Sequence, residues 1–224
     1  MIEKWKRIIQ SARHPLAITG AGISVASGLP TVSSRWRGIP LREIFTLHLF
    51  LNEPDRFYRC YREVLLGWNA AKPNPAHLAL ARWQIPIITM NIDGLHQEAG
   101  SPHVIELHGN LRELICLGCD SIFSSDLART DNFPLCPSCQ GRLKPNIVLV
   151  GEEVHHFSSA VDWVGRSDVL LIIGTRLEMA PCNQLPKVAS RTGATMIRIN
   201  QEAERIVPAI LNIKPNESVH PFHQ

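Results

Sequence analysis

Six short apolar runs constrain this chain more than any other feature. They fall at residues 16–19, 85–89, 104–107, 147–150, 169–173 and 195–199, each of strand length and too short for a helix. Stretches of helical length lie between them, including residues 55–66, 76–83 and 157–164. Near-continuous apolar strands belong to sheets covered on both faces, and alternation with helices makes such a sheet parallel. The expected fold is therefore α/β, a parallel sheet with helices on both faces. At the start of the chain Ile2, Trp5, Ile8 and Ile9 recur at near-helical spacing among Glu3, Lys4, Lys6 and Arg7. That pattern predicts an amphipathic helix packed on the core.

Residues 111–145 break the rhythm, and they carry four of the six cysteines. Cys116 and Cys119 form one C-x-x-C pair, Cys136 and Cys139 a second, with sixteen residues between the pairs. Each pair can place two thiolates on one ion, so the two together complete a tetrahedral shell of four sulfurs with no open position. The expected occupant is one structural zinc ion (Zn2+) that serves folding rather than catalysis. Two disulfides are the alternative, and they need an oxidising compartment. Cys60 and Cys182 are expected to be small buried hydrophobes.

Composition narrows the partners. At 224 residues, 45% hydrophobic and 19% charged, the chain suits one large globular domain or one carrying a smaller insertion. A net charge of +3 without a dense Lys/Arg run argues against nucleic acid. No run of about 18 apolar residues is present to span a bilayer, and the charged N-terminus lacks the apolar segment of a signal peptide. No membrane association and a cytoplasmic location are expected. Oligomeric state is not legible.

The first run, Leu16-Ala17-Ile18-Thr19, leads into Gly20-Ala21-Gly22-Ile23-Ser24, with Ser27-Gly28-Leu29-Pro30 soon after. This reads as a strand, a tight turn and the start of a helix, where backbone amides can approach a pyrophosphate. The full dinucleotide fingerprint is not met. Its third glycine comes at Gly28 instead of three residues past Gly22, and no acidic residue lies about 20 positions on, which disfavours an ordinary dehydrogenase. Taken alone, the turn is equally well read as a simple chain reversal. Two more polar segments follow predicted strands: Asn91-Ile92-Asp93-Gly94-Leu95-His96 and His108-Gly109-Asn110. Loops at the carboxyl ends of parallel strands are where open sheets bind ligands. With an ordinary pKa of about 6.5, His108 is a candidate general base. His96 and His103 read as structural.

Taken in order, these segments, the two C-x-x-C pairs, Val148-Leu149-Val150-Gly151-Glu152, Gly174-Thr175 and Asn200 resemble the motif set of the sirtuin family over about residues 11–210. The resemblance implies a Rossmann-like NAD-binding domain formed by residues 1–110 and 146–224, a zinc-binding module at 111–145, and a helical insertion at about 31–75 that joins the small domain. It implies an NAD-dependent protein-lysine deacylase that takes NAD as co-substrate and an acyl-lysine protein or peptide as partner. The products are nicotinamide, an acylated ADP-ribose and free lysine. By resemblance, His108 deprotonates the nicotinamide ribose, while Asn91, Ile92 and Asp93 hold that ribose and the carboxamide. Gly20, Ala21, Gly22, Ile23 and Ser24 form the phosphate cradle, Gly174 and Thr175 a second phosphate loop, and Asn200 a contact to the adenosine ribose. Val148, Val150, Gly151 and Glu152 line the edge on which a substrate peptide adds as a strand.

The chain departs from the family at Val32 and Ser33, where Phe-Arg is usual, so Arg35 or Arg37 is the expected replacement cation. Met90 stands where the family has Gln, and Arg176 where it has Ser. Tyr58 and Tyr61 align on the Tyr-x-x-Arg pair of succinyl-preferring members, with Tyr61 in place of the Arg, which predicts an uncharged acyl group. Two other readings stay open: an NAD glycohydrolase or mono-ADP-ribosyltransferase of the same type, and a non-catalytic NAD or ADP-ribose binding module.

Overall fold

The computed structural model describes residues 1–31, 34–130 and 133–212. Its strands are β1 (Pro15–Thr19), β2 (Arg35–Trp36), β3 (Ile39–Pro40), β4 (Ile87–Thr89), β5 (Val104–Glu106), β6 (Gly109–Cys116), β7 (Ile122–Ser124), β8 (Leu143–Ile147), β9 (Val169–Ile173) and β10 (Thr195–Ile199). Its α-helices are α1 (Ile2–Gln10), α2 (Leu41–Ile44), α3 (Leu47–Asn52), α4 (Pro54–Trp68), α5 (Pro75–Arg82), α6 (Leu95–Glu98), α7 (Phe157–Arg166), α8 (Leu185–Arg191) and α9 (Ala203–Ile210). Among the described residues no helix is long and apolar enough to cross a membrane.

Five strands form one parallel sheet in the order β10-β9-β1-β4-β5. All five residues of β9 are buried, as a strand covered on both faces requires. The period of two separates the faces. Ala17, Leu171 and Ile197 pack with Ile9 of α1, Leu80 of α5 and Val207 of α9. Leu16, Ile18 and Ile172 pack on the other side with Val164 of α7 and Ala189 of α8. The amphipathic first helix thus lies on the core through Ile9, with Trp5 and Ile8 beside it.

A second cluster gathers α2, α3 and α4 against a three-stranded antiparallel sheet, β7-β6-β8. Here the 147–150 run departs from expectation. It does not enter the parallel sheet: Ile147 ends β8, paired antiparallel with β6, and Val150 bridges Thr46. Ile147 and Leu149 are buried against the α2–α4 helices, so their apolar character answers to this second core.

Two glycines are demanded where the loops after β1 and β9 press backbone on backbone. The Gly22 amide donates to the Gly174 carbonyl at 2.9 Å. Gly174 has φ +65°, and a Cβ there would sit 2.2 Å from the Ile23 nitrogen.

Candidate active site

The chain runs from β1 to β4 and β5 on one side, then returns to β9 and β10 on the other, so the strand order reverses at β1. Open sheets leave a crevice beyond the carboxyl ends at such a point. A cavity of about 680 Å³ fills it, lined by Gly20, Ala21, Gly22, Gly174, Thr175 and Asn200 among others. A second cavity of about 360 Å³ lies between the parallel sheet and the helical cluster, with Leu29, Leu41, Phe45, Trp68 and Ile92 in its wall. Val148, Val150, Gly151 and Glu152 line this second cavity too. Ala21, Met90, Asn91 and His108 line both, so the two spaces meet there.

His108 is half-buried, and its Nδ1 lies 2.9 Å from the Met90 carbonyl. A carbonyl only accepts, so Nδ1 carries the hydrogen and Nε2 of the neutral ring keeps its lone pair. Burial pushes its pKa below the usual imidazole value, the Met90 hydrogen bond opposes this, and His155 adds repulsion. The ring is neutral at neutral pH and can accept a proton. Its backbone carbonyl accepts from the Val148 amide at 2.9 Å, which ties the histidine to the 148–152 segment. That segment is itself braced. Lys144 Nζ reaches Glu152 at 3.0 Å and donates to the Ile147 carbonyl at 2.8 Å, and Glu152 accepts from the Leu149 amide at 2.8 Å.

Asn91 and Asp93 are held by a polar network beneath the first loop. Ser24 Oγ donates to Asp93 at 2.7 Å, and Asn91 Nδ2 donates to Ser24 Oγ at 3.2 Å and to the Gly20 carbonyl at 3.3 Å. Burial raises the Asp93 pKa, while the Leu95 amide and Ser24 hydroxyl hydrogen bonds pull it back. In the layer below, His96 is the structural residue expected from the sequence, and His77 was missed. His77 Nδ1 accepts from the Asn74 amide at 3.3 Å, and its Nε2 lies 3.5 Å from Ser24 Oγ. His96 Nε2 meets Thr19 Oγ1 at 2.9 Å, and its ring centroid is 4.8 Å from that of His77. A signal for His77 was available: Asn74-Pro75 followed by His77 at the third helical position forms a capping box on α5.

Burial drives the His77 pKa down to about 4 and that of His96 well below normal. Folding therefore expels protons from these rings, and the stability they contribute above pH 6.5 is lost as pH falls toward 4. For His77 alone the expected loss between pH 7 and 5 is about 2 kcal/mol, from a shift of roughly 2.5 units at 1.36 kcal/mol each. Urea unfolding at the two pH values should show it, and His77→Gln should flatten the slope. An unchanged slope in the variant would contradict the assignment.

Five residues expected at the site are placed elsewhere. Ile23 is fully buried in the main core, and its amide closes the turn on the Gly20 carbonyl at 3.0 Å. Arg35 is exposed and donates to the Gly38 carbonyl at 3.0 Å across its own β2–β3 hairpin, and it lines neither cavity. Arg37 stands 3.9 Å from Glu63 with its guanidinium over the Trp36 ring. Tyr58 and Tyr61 line neither cavity either. Their hydroxyls donate to the carbonyls of Leu143 and Leu111, and their rings sit in the aromatic core of α4 with Phe50 and Phe57. The departures at Val32 and Ser33 lie outside the described residues.

Cys116, Cys119, Cys136 and Cys139 converge with all four Sγ atoms within 4.8 Å of one another. The 116–139 and 119–136 pairs stand 3.4 and 3.7 Å apart, and none is disulfide-bonded. A tetrahedral ion with Zn–S bonds of about 2.3 Å needs sulfurs about 3.8 Å apart, so the thiol set fits zinc. Gly118 and Gly141 make room: a Cβ at Gly141 would lie 3.1 Å from both Cys116 and Cys139 sulfurs.

The Sir2 family model matches residues 20–181. An NAD-dependent protein deacetylase of Sulfurisphaera tokodaii is 38% identical over 227 residues, covering 96% of this chain and 90% of its own. An NAD-dependent protein deacylase of Thermococcus sibiricus is 35% identical over 225 residues, covering 93% and 88%. A solved Sir2 structure with p53 peptide and NAD+ superimposes with a TM-score of 0.84 at 29% identity, covering 95% of this chain and 98% of that one.

Proposed function

This chain belongs to the Sir2 family, and we propose that it is an NAD-dependent protein-lysine deacylase. The observation that carries this reading is the junction of the two cavities at His108 and Asn91. The larger cavity, walled by glycine backbone at the sheet's reversal point, suits a dinucleotide. The smaller, between apolar walls and the 148–152 segment, suits a lysine side chain carrying its acyl group, with the peptide backbone against that segment. When bound, NAD supplies an electrophilic anomeric carbon with nicotinamide as leaving group. The acyl amide oxygen displaces nicotinamide, and one water is consumed as free lysine and O-acyl-ADP-ribose are released. His108 accepts the ribose hydroxyl proton at Nε2, with Met90 holding the ring. Asn91 and Asp93 orient the ribose and carboxamide, anchored through Ser24.

We read residues 1–110 and 146–224 as the NAD-binding domain, with 111–145 and the 31–75 helices as the small one. Six unpaired cysteines suit a reducing compartment, which supports a cytoplasmic location.

An uncharged acyl group is favoured by the apolar wall of Leu29, Leu41, Phe45, Trp68 and Ile92, although the solvent-exposed Arg42 also lines this cavity. Mass spectrometry on matched acetyl-, butyryl-, myristoyl- and succinyl-lysine peptides tests both points. NAD-dependent acyl-ADP-ribose formation is expected, with acetyl or a longer neutral chain well ahead of succinyl. Nicotinamide release at equal rates with and without peptide would sink the deacylase reading. A succinyl preference would sink only the acyl assignment.

A further inference from the structure

The site described above gives Arg176 no task. It follows Thr175 in the loop after β9, is exposed, and lines the larger cavity. Among the described residues it is the only lysine or arginine lining that cavity, and it makes no hydrogen bond or ion pair. We propose that Arg176 is a binding residue for the pyrophosphate of the dinucleotide. This rests on reading the cavity as the NAD site.

Sheet order lays the lining loops in a row. Asn200 follows β10, the Gly174 to Arg176 loop follows β9, Gly20 to Gly22 follow β1, Asn91 follows β4, and His108 follows β5. With the adenosine ribose at Asn200 and the nicotinamide ribose at His108, the linking phosphates fall over β9 and β1. Arg176 is the cation at that midpoint. Backbone amides of the two glycine loops offer dipoles to the phosphoryl charges, and among the described residues no other lysine or arginine lines the cavity to add a full positive charge. Arg35 bonds its own hairpin, Arg37 pairs with Glu63, and Val32 and Ser33 carry no charge. Glu178 lines the same cavity and repels phosphate, so a cation is needed there to offset it as well. A planar guanidinium can grip a phosphoryl group through two parallel hydrogen bonds, which an ammonium cannot.

Isothermal titration of ADP-ribose, adenosine and NADP into wild type, Arg176→Ser and Arg176→Lys, at low and high salt, tests the proposal. The serine variant is expected to bind ADP-ribose about tenfold more weakly, to bind adenosine as before, and to lose most of the salt dependence. The lysine variant should recover part of the affinity. Unchanged ADP-ribose affinity in the serine variant overturns the proposal, and so does an equal loss for adenosine, which would mean a collapsed loop. A loss confined to NADP overturns it in favour of a 2′-phosphate contact. If wild type binds ADP-ribose and only the variant's behaviour disagrees, the NAD site stands and the inference alone falls. If wild type binds no ADP-ribose, both fall.

Discussion

His108→Ala is expected to lower kcat for deacylation by about 10² to 10⁴, the usual contribution of a positioned general base, while ADP-ribose affinity changes little. The ring lines both cavities, its tautomer is set by the Met90 carbonyl, and its depressed pKa keeps it neutral. A base of this kind is lost on protonation, so the acid limb of kcat/KM in wild type should fall below the ordinary imidazole value and disappear in the variant. Single-turnover measurements at saturating NAD separate the chemical step from binding. A variant that retains wild-type turnover would remove His108 from the mechanism, and one that loses ADP-ribose affinity in proportion would make it a packing residue.

The second large effect concerns the metal. Cys116 and Cys136 are not only candidate ligands: their side chains are buried in the same core as Tyr58, Leu143, Ile147 and Leu149. Leu149 and Ile147 also line the smaller cavity. Removal of the ion leaves four thiols crowded within 4.8 Å and withdraws the free energy that holds this core together. Chelation or Cys136→Ser should therefore drop the melting temperature by about 10 °C, as a loss of several kcal/mol does at this size. Peptide KM should rise steeply, while ADP-ribose binding, which depends on the parallel sheet, should survive. Elemental analysis should give one zinc per chain. Full stability and activity in metal-free protein would show the cluster to be dispensable.

Much of this was legible in the chain itself. Five of the six apolar runs became the parallel sheet, because burial on both faces leaves a signature in each strand separately. The C-x-x-C spacing and the glycine turn were legible for a similar reason: each is a short segment whose geometry depends on its immediate neighbours. The sixth run, 147–150, read the same as the others and joined a different sheet. Apolar character records that a segment is buried and not what buries it.

The same limit explains Tyr58, Tyr61 and Arg35. Alignment put two tyrosines on a recognition motif, yet α4 turns that face inward, where Phe50 and Phe57 bury their rings and two carbonyls take their hydroxyls. Arg35 was the expected cation at the cavity, and its hairpin instead folds it back on Gly38. The capping-box spacing could mark His77 as an end of α5 but not as a support of the site, because Ser24, which it meets, is 53 positions away. Residue type, spacing and local periodicity thus determine which segments are strands and where the thiols cluster. Which sheet a strand joins, which nitrogen of His108 is free, and where the two cavities meet depend on contacts between segments far apart in the chain, and those exist only once the chain has packed.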